Sequence, residues 1–251
     1  MTLRQLETTT LGEIVSRDFR AGVILERYGL DYCCGGDRTL AEGCRKRGVS
    51  VERVVSEIEA LDPAAREAPA QDPVTLIDHI VSRHHAYVRE MIPAIQHHLA
   101  KVAAAHGARH PELPFIEAKF STVAADMSLH MVKEERVLFP YIRALAEAVS
   151  HVAPPPPDMF GTVQNPIRMM EIEHQEVGDG LEAIRELTHG YDTPADACAT
   201  YALVLRELEA FEKDLHVHVH LENNVLFPRA VELEEKTELM ARGLKCGRES
   251  E

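Results

Sequence analysis

The chain contains no tryptophan, and phenylalanine and tyrosine together make up only 5% of its 251 residues. β-Branched alternation is scarce as well. Ala, Leu, Glu and Arg dominate, a composition that favours helix over sheet. Positive charge is also short: 27 Lys and Arg stand against 41 Asp and Glu, a formal net charge of −14. That balance argues against a nucleic-acid partner, because phosphate binding needs clustered basic side chains. The one basic run, "CRKRG" at 44–48, suits a helix C-terminus, where cations complement the dipole. No stretch of 18 apolar residues occurs, and no charged-then-apolar leader opens the chain. A soluble, cytoplasmic protein with no membrane partner is therefore expected. Cysteine is sparse and odd in number, at five. This is no disulfide framework, and reduced thiols are expected.

Helix punctuation divides the sequence. Residues 1–61 read as a small helical domain. Thr10, Thr39 and Ser50 are candidate N-caps, and Gly29 and Gly48 are helix stops. Residues 62–73, "DPAAREAPAQDP", have the composition of a linker. Residues 74–236 then read as four long helices: A over 74–105 with Pro93 inside it, B over 112–149, C from Asn165 to 188, and D from Thr193 to 235. Asn165-Pro166 and Thr193-Pro194 serve as helix starts. An antiparallel four-helix bundle is the simplest closure. Residues 237–251 form a tail, read as a short helix or a loose end.

Histidine is what the sequence has in excess, with fourteen. "HMVKEERVLFP" at 130–140 and "HVHLENNVLFP" at 218–228 share His, Glu four residues on, and Val-Leu-Phe-Pro. The stripe Val123, Met127, His130, Glu134, Val137, Tyr141 in helix B matches Phe211, Leu215, His218, Glu222, Val225, Arg229 in helix D. Spacings of three and four put both His-Glu pairs on the apolar face. A buried carboxylate is costly unless it is paired or bound to metal. A single such pair would read as an ordinary buried hydrogen bond; two in matching frames point to metal. Helix C adds His174 on the stripe Ile167, Met170, Val177, Leu181, Ile184. Helix A offers His84 and His85, between which periodicity does not choose, although chain spacing leans to His85. Four His and two Glu exceed what one tetrahedral zinc needs and suit two carboxylate-bridged metals. Iron fits these ligands, and manganese, zinc and copper also accept them. His79, His84, His106, His216 and His220 read either as partners steadying the ligand rings or as ordinary histidines. His97, His98, His110, His151 and His189 lie near helix ends or in loops.

Cys33-Cys34 sits in the Gly-rich turn "LDYCCGGDR". A disulfide between neighbours would be strained and easily reduced. The helix capped by Thr39 is expected to lower a thiol pKa through its dipole. Thiol redox work or transient metal handling competes here with two small residues in a tight turn.

"LDYCCGGDRTLAEGC" at 30–44, followed by "SLHMVKEERVLFP", "MEIEHQEVG" and "HVHLENNVLFPRA", resembles the bacterial iron–sulfur cluster repair di-iron proteins, whose large domain is hemerythrin-like. The similarity runs to about residue 231. It implies His85, His130, Glu134, His174, His218 and Glu222 as ligands of two non-haem iron ions, with both glutamates bridging and room for an oxo or hydroxo bridge. It selects His85 over His84, matches His106 to a position that is His in relatives, and matches Cys33 and Cys34 to the family's cysteine pair. The function implied is repair of clusters damaged by nitrosative or oxidative stress, by donation of iron. The partners implied are damaged iron–sulfur proteins and the small ligands NO or O2, and a homodimer is a compatible assembly. The alternatives are a nitric oxide reductase forming nitrous oxide and an O2- or NO-binding hemerythrin-like protein.

Overall fold

In the computed structural model of the protein, residues 3–65, 68–69, 72–153, 156–157 and 159–248 are described. Twelve α-helices follow one another, and among these residues no β-strand occurs. They are α1 (Leu3–Thr8), α2 (Leu11–Arg17), α3 (Arg20–Arg27), α4 (Leu40–Arg47), α5 (Val51–Glu59), α6 (Pro73–His79), α7 (Ala86–His106), α8 (Leu113–Lys133), α9 (Phe139–His151), α10 (Gln164–Leu187), α11 (Ala199–Leu221) and α12 (Phe227–Arg248). Widened π-turns at Ile80–His85, Glu134–Leu138 and Glu222–Leu226 join α6 to α7, α8 to α9 and α11 to α12. The fold is all-α: a small helical N-terminal domain followed by an antiparallel four-helix bundle. No helix among the described residues is long and apolar enough to cross a membrane.

Two compact units divide the chain. One comprises Met1–Asp78, Tyr141–Ile167 and His216–Glu251. Its N-terminal helices form where the caps stand. Thr10 and Thr39 each accept from the backbone N–H three residues on, and Glu13 and Glu42 reach back to complete capping boxes. Each such cap contributes about 1 kcal/mol. Gly29 and Gly48 end α3 and α4 in the left-handed conformation, as expected. Leu6, Leu11, Ile14, Leu25, Leu40 and Val54 make the core of α1–α5, and Val219 of α11 joins it. α1 carries no strong start signal and is not anticipated by the sequence. α12 continues to Arg248, so the tail expected at 237 is helical through most of its length. Its last residues, and parts of the expected linker at 66–67 and 70–71, lie outside the described residues.

The second unit comprises His79–Pro140 and Arg168–Leu215. α7, α8, α10 and α11 bury one continuous apolar core here, including Ile95, Leu99, Phe120, Met127, Leu181, Ile184 and Leu208. Phe120 and Phe211 meet edge to face, their centroids 5.3 Å apart. Helix D does not start at Thr193. Pro194–Ala197 is an isolated turn, and α11 begins at Ala199. The cause is tertiary: Asp196 is held by His110 at 3.0 Å and by Arg109 at 3.1 Å. Those bonds fix the segment as a connection rather than a first helical turn.

Candidate metal centre

The π-turns fall at expected ligands. His85 closes the first, Glu134 opens the second and Glu222 opens the third. The N–H of Phe139 donates to the carbonyl of Glu134, and that of Phe227 to the carbonyl of Glu222, five residues back instead of four. The repeated Leu-Phe-Pro accounts for two of them. Pro140 and Pro228 offer no N–H, and a proline ring crowds the carbonyl four residues before it. A widened turn just ahead relieves that crowding, and such turns recur at functional sites.

The π-turns after Glu134 and Glu222 also shift part of the buried face, which corrects the sequence stripes at one position each, while Val225 and Tyr141 are buried as expected. Val137, expected inside, is 38% exposed, and Leu138 is buried in its place. Arg229 is partly exposed and Ala230 is buried. In helix A the widened turn buries both His84 and His85, so periodicity had no single choice to make.

In the bundle unit His85, His130, Glu134 and His174 are all buried. Oε2 of Glu134 lies 3.4 Å from Nε2 of His85 and 3.3 Å from Nε2 of His130. Nε2 of His174 is 2.9 Å from Nε2 of His130. His130, Glu134 and His174 thus offer ligand atoms within 4.8 Å of one another. The other ring nitrogens are held from behind. Nδ1 of His85 bonds Oε1 of Glu135 at 2.6 Å, and Arg89 bonds the same oxygen. Nδ1 of His130 bonds Oε2 of Glu173 at 3.0 Å, and Lys133 bonds its other oxygen. Burial pushes both carboxyls up, but the hydrogen bonds from His85 and Arg89, and from Lys133 and His130, outweigh it. Both are held below the usual carboxylate range. An ionised carboxylate only accepts, so each Nδ1 carries a proton, and in the neutral ring Nε2 then presents a lone pair toward Glu134. Two such lone pairs facing one buried carboxylate make a donor set that calls for a cation between them. Glu135 and Glu173 were missed by the sequence reading. Their signal is an acidic residue beside a ligand, in "EE" at 134–135 and "EH" at 173–174.

In the other unit His218 and Glu222 repeat the arrangement, both buried, with Nε2 to Oε1 at 2.8 Å. Around them α11 carries His216, bonded to Glu26 at 3.3 Å, and His220. The His220 ring sits edge-on to Phe19 and Tyr32, with Ser16 Oγ 3.4 Å from its Nε2. Burial holds its pKa at about 4.

The remaining candidates separate. His84 is tied to Asp214 at 3.1 Å. His106 lies at the far end of α7, against Tyr201 and Arg109. Twenty-one residues of helix put it about 30 Å from His85, out of reach of these ligands. Cys33 and Cys34 are in no disulfide. Cys33 does not follow the helix-dipole expectation. Its neighbour Cys34, burial and Asp31 push its thiol well above the usual range.

The chain matches the family described as Domain of Unknown function (DUF542) over residues 7–62 and the Hemerythrin HHE cation binding domain over residues 76–230. It is 35% identical over 224 residues to the iron-sulfur cluster repair protein YtfE of Escherichia coli O157:H7, covering 88% of this chain and 96% of that one. The protein of the same name from Citrobacter koseri is 34% identical over the same shares.

Proposed function

The chain belongs to the iron–sulfur cluster repair family of hemerythrin-domain proteins, and on that premise we propose that it restores clusters damaged by nitrosative or oxidative stress by donating iron. His85, His130, Glu134, His174, His218 and Glu222 would hold the iron, two ions in all, with Glu134 and Glu222 as the carboxylates shared between them. Iron so bound would supply a redox-active centre that accepts small ligands such as NO or O2 and from which metal can be given up.

The observation that carries the reading is the pair of imidazoles anchored by ionised carboxylates, Glu135 behind His85 and Glu173 behind His130. Anchoring of this kind fixes the tautomer and orients a ligand ring before metal arrives. The matching His218–Glu222 pair on its own π-turn, and a hemerythrin match that spans all six residues, point the same way. The protein's own groups then have defined tasks. Glu134 and Glu222 supply negative charge in a water-poor interior. The histidines supply neutral donors, and so keep the total ligand charge low enough for a ferrous ion to leave.

The test is reactivation of an enzyme whose iron–sulfur cluster has been damaged by nitric oxide. The iron-loaded protein restores activity, and a Glu134→Leu variant does not. Multiple turnovers of nitric oxide to nitrous oxide with a supplied reductant, without reactivation, would replace this reading with the reductase one.

A further inference from the structure

The Cys33-Cys34 turn holds a second constellation. Oδ1 of Asp31 accepts from the backbone N–H of Cys33 at 3.2 Å and of Cys34 at 3.0 Å. That clamp brings the carboxylate to 3.3 Å from Cys33 Sγ, and the two sulfurs are 4.0 Å apart. All three side chains offer donor atoms within 4.8 Å of one another. A tetrahedral cation with metal–sulfur bonds of the usual length separates two thiolates by about 3.8 Å and a thiolate from a carboxylate oxygen by about 3.5 Å. The observed spacings already lie within a few tenths of an ångström of both.

The turn is also fixed from below. On the π-turn that opens with Glu222, the Asn224 amide donates to the carbonyls of Tyr32 at 3.2 Å and Cys33 at 3.1 Å. Asn223 donates to Cys33 at 3.3 Å. Two glycines leave room for this clamp. A Cβ at Gly12 would come within 2.2 Å of Asn224 Oδ1, and one at Gly36 within 2.3 Å. With the backbone carbonyls held by the asparagines, the thiols and the carboxylate are left to face one another. Cys33 is buried and Cys34 is half-buried, so one side of the group is open to an incoming ion.

The geometry points to Asp31, Cys33 and Cys34 as a second metal site, taking one divalent cation of borderline softness. Binding breaks two S–H bonds, forms two metal–sulfur bonds and sends the two protons to solvent, with no change of oxidation state. Two thiolates and one carboxylate favour such cations over magnesium or calcium. The inference stands apart from the reading of the buried His/Glu centre, whose ligands include no sulfur.

Cobalt(II), titrated anaerobically into the full-length, reduced protein, tests it. A bound thiolate gives an intense near-ultraviolet charge-transfer band that a His/Glu centre does not produce, so failure of either site is seen separately. With the His/Glu centre already iron-loaded, the expected result is a thiolate band saturating at one equivalent of added cobalt, with about two protons released per ion. It is abolished in C33S/C34S, and Asp31→Asn and Asn224→Ala weaken the affinity at least tenfold. The Cys→Ser changes are nearly isosteric, and circular dichroism checks that the helices persist. A folded wild-type protein with no thiolate band, or a band undiminished in C33S/C34S, would overturn the proposal.

Discussion

Glu135 Oε1 and His85 Nδ1 are 2.6 Å apart, and Arg89 closes on the same carboxylate oxygen at 2.5 Å. The histidine ring is thus held by a group one position beyond Glu134, on the same π-turn. A partner of this kind raises the basicity of the imidazole and fixes its direction. Glu135→Ala is expected to weaken metal binding about 10- to 100-fold while the far-ultraviolet circular dichroism stays helical. Glu173→Ala, which releases His130, should behave alike. Competition with a chromophoric chelator measures both, and unchanged affinity in either variant would remove that residue from the account.

The contact between Gly12 and Asn224 gives a stability prediction with a sign change. An alanine at position 12 would drive its Cβ into Asn224, and overpacking of this sort costs about 1–3 kcal/mol. In an Asn224→Ala background the two nearest obstructing atoms are gone, and the Gly36 carbonyl oxygen remains 3.1 Å from the added Cβ. There, alanine's better helix propensity, worth up to about 1 kcal/mol, offsets that contact and makes Gly12→Ala neutral or mildly stabilising. Denaturant unfolding of the four proteins in the cycle tests this, and additive effects would contradict the close approach.

At the other end of α7, His110 bridges Asp196 at 3.0 Å and Glu112 at 3.1 Å. The Asp196 hydrogen bond, against some loss of hydration, raises the His110 pKa, and the same bond lowers that of Asp196. A histidine with a raised folded pKa contributes stability below about pH 6.5, and that contribution is lost as pH rises through the folded value. The aspartate contributes above about pH 4 and loses that contribution as pH falls through its lowered value. The pair therefore supports the bundle most between about pH 4 and 6.5. In His110→Gln the pH dependence of the melting temperature above 6.5 should flatten, and an unaltered slope would deny the pair its role.

Much of this was legible beforehand, for a physical reason. Burial needs apolar residues at helical spacing, and His130, Glu134 and His174 stand in that spacing. The caps Thr10, Thr39 and Ser50 were legible because the side chain that makes the bond sits next to the helix it starts. What was hidden depends on backbone or tertiary bonds. The π-turns change the hydrogen-bond register without changing composition, so Val137 and Arg229 read as inward when Leu138 and Ala230 are the buried ones. The start of α11 was displaced by Asp196, whose partners His110 and Arg109 lie in a distant part of the chain. Glu135 and Glu173 stand outside the apolar stripes, and only the placement of the rings they hold marks them out.

The central claim is a two-iron centre on six named side chains. Anomalous diffraction at the iron edge from crystals of protein purified without oxygen tests it most directly. Two iron peaks are expected, bridged by Glu134 and Glu222 and ligated by His85, His130, His174 and His218. A single peak, or iron bound away from those residues, would contradict it.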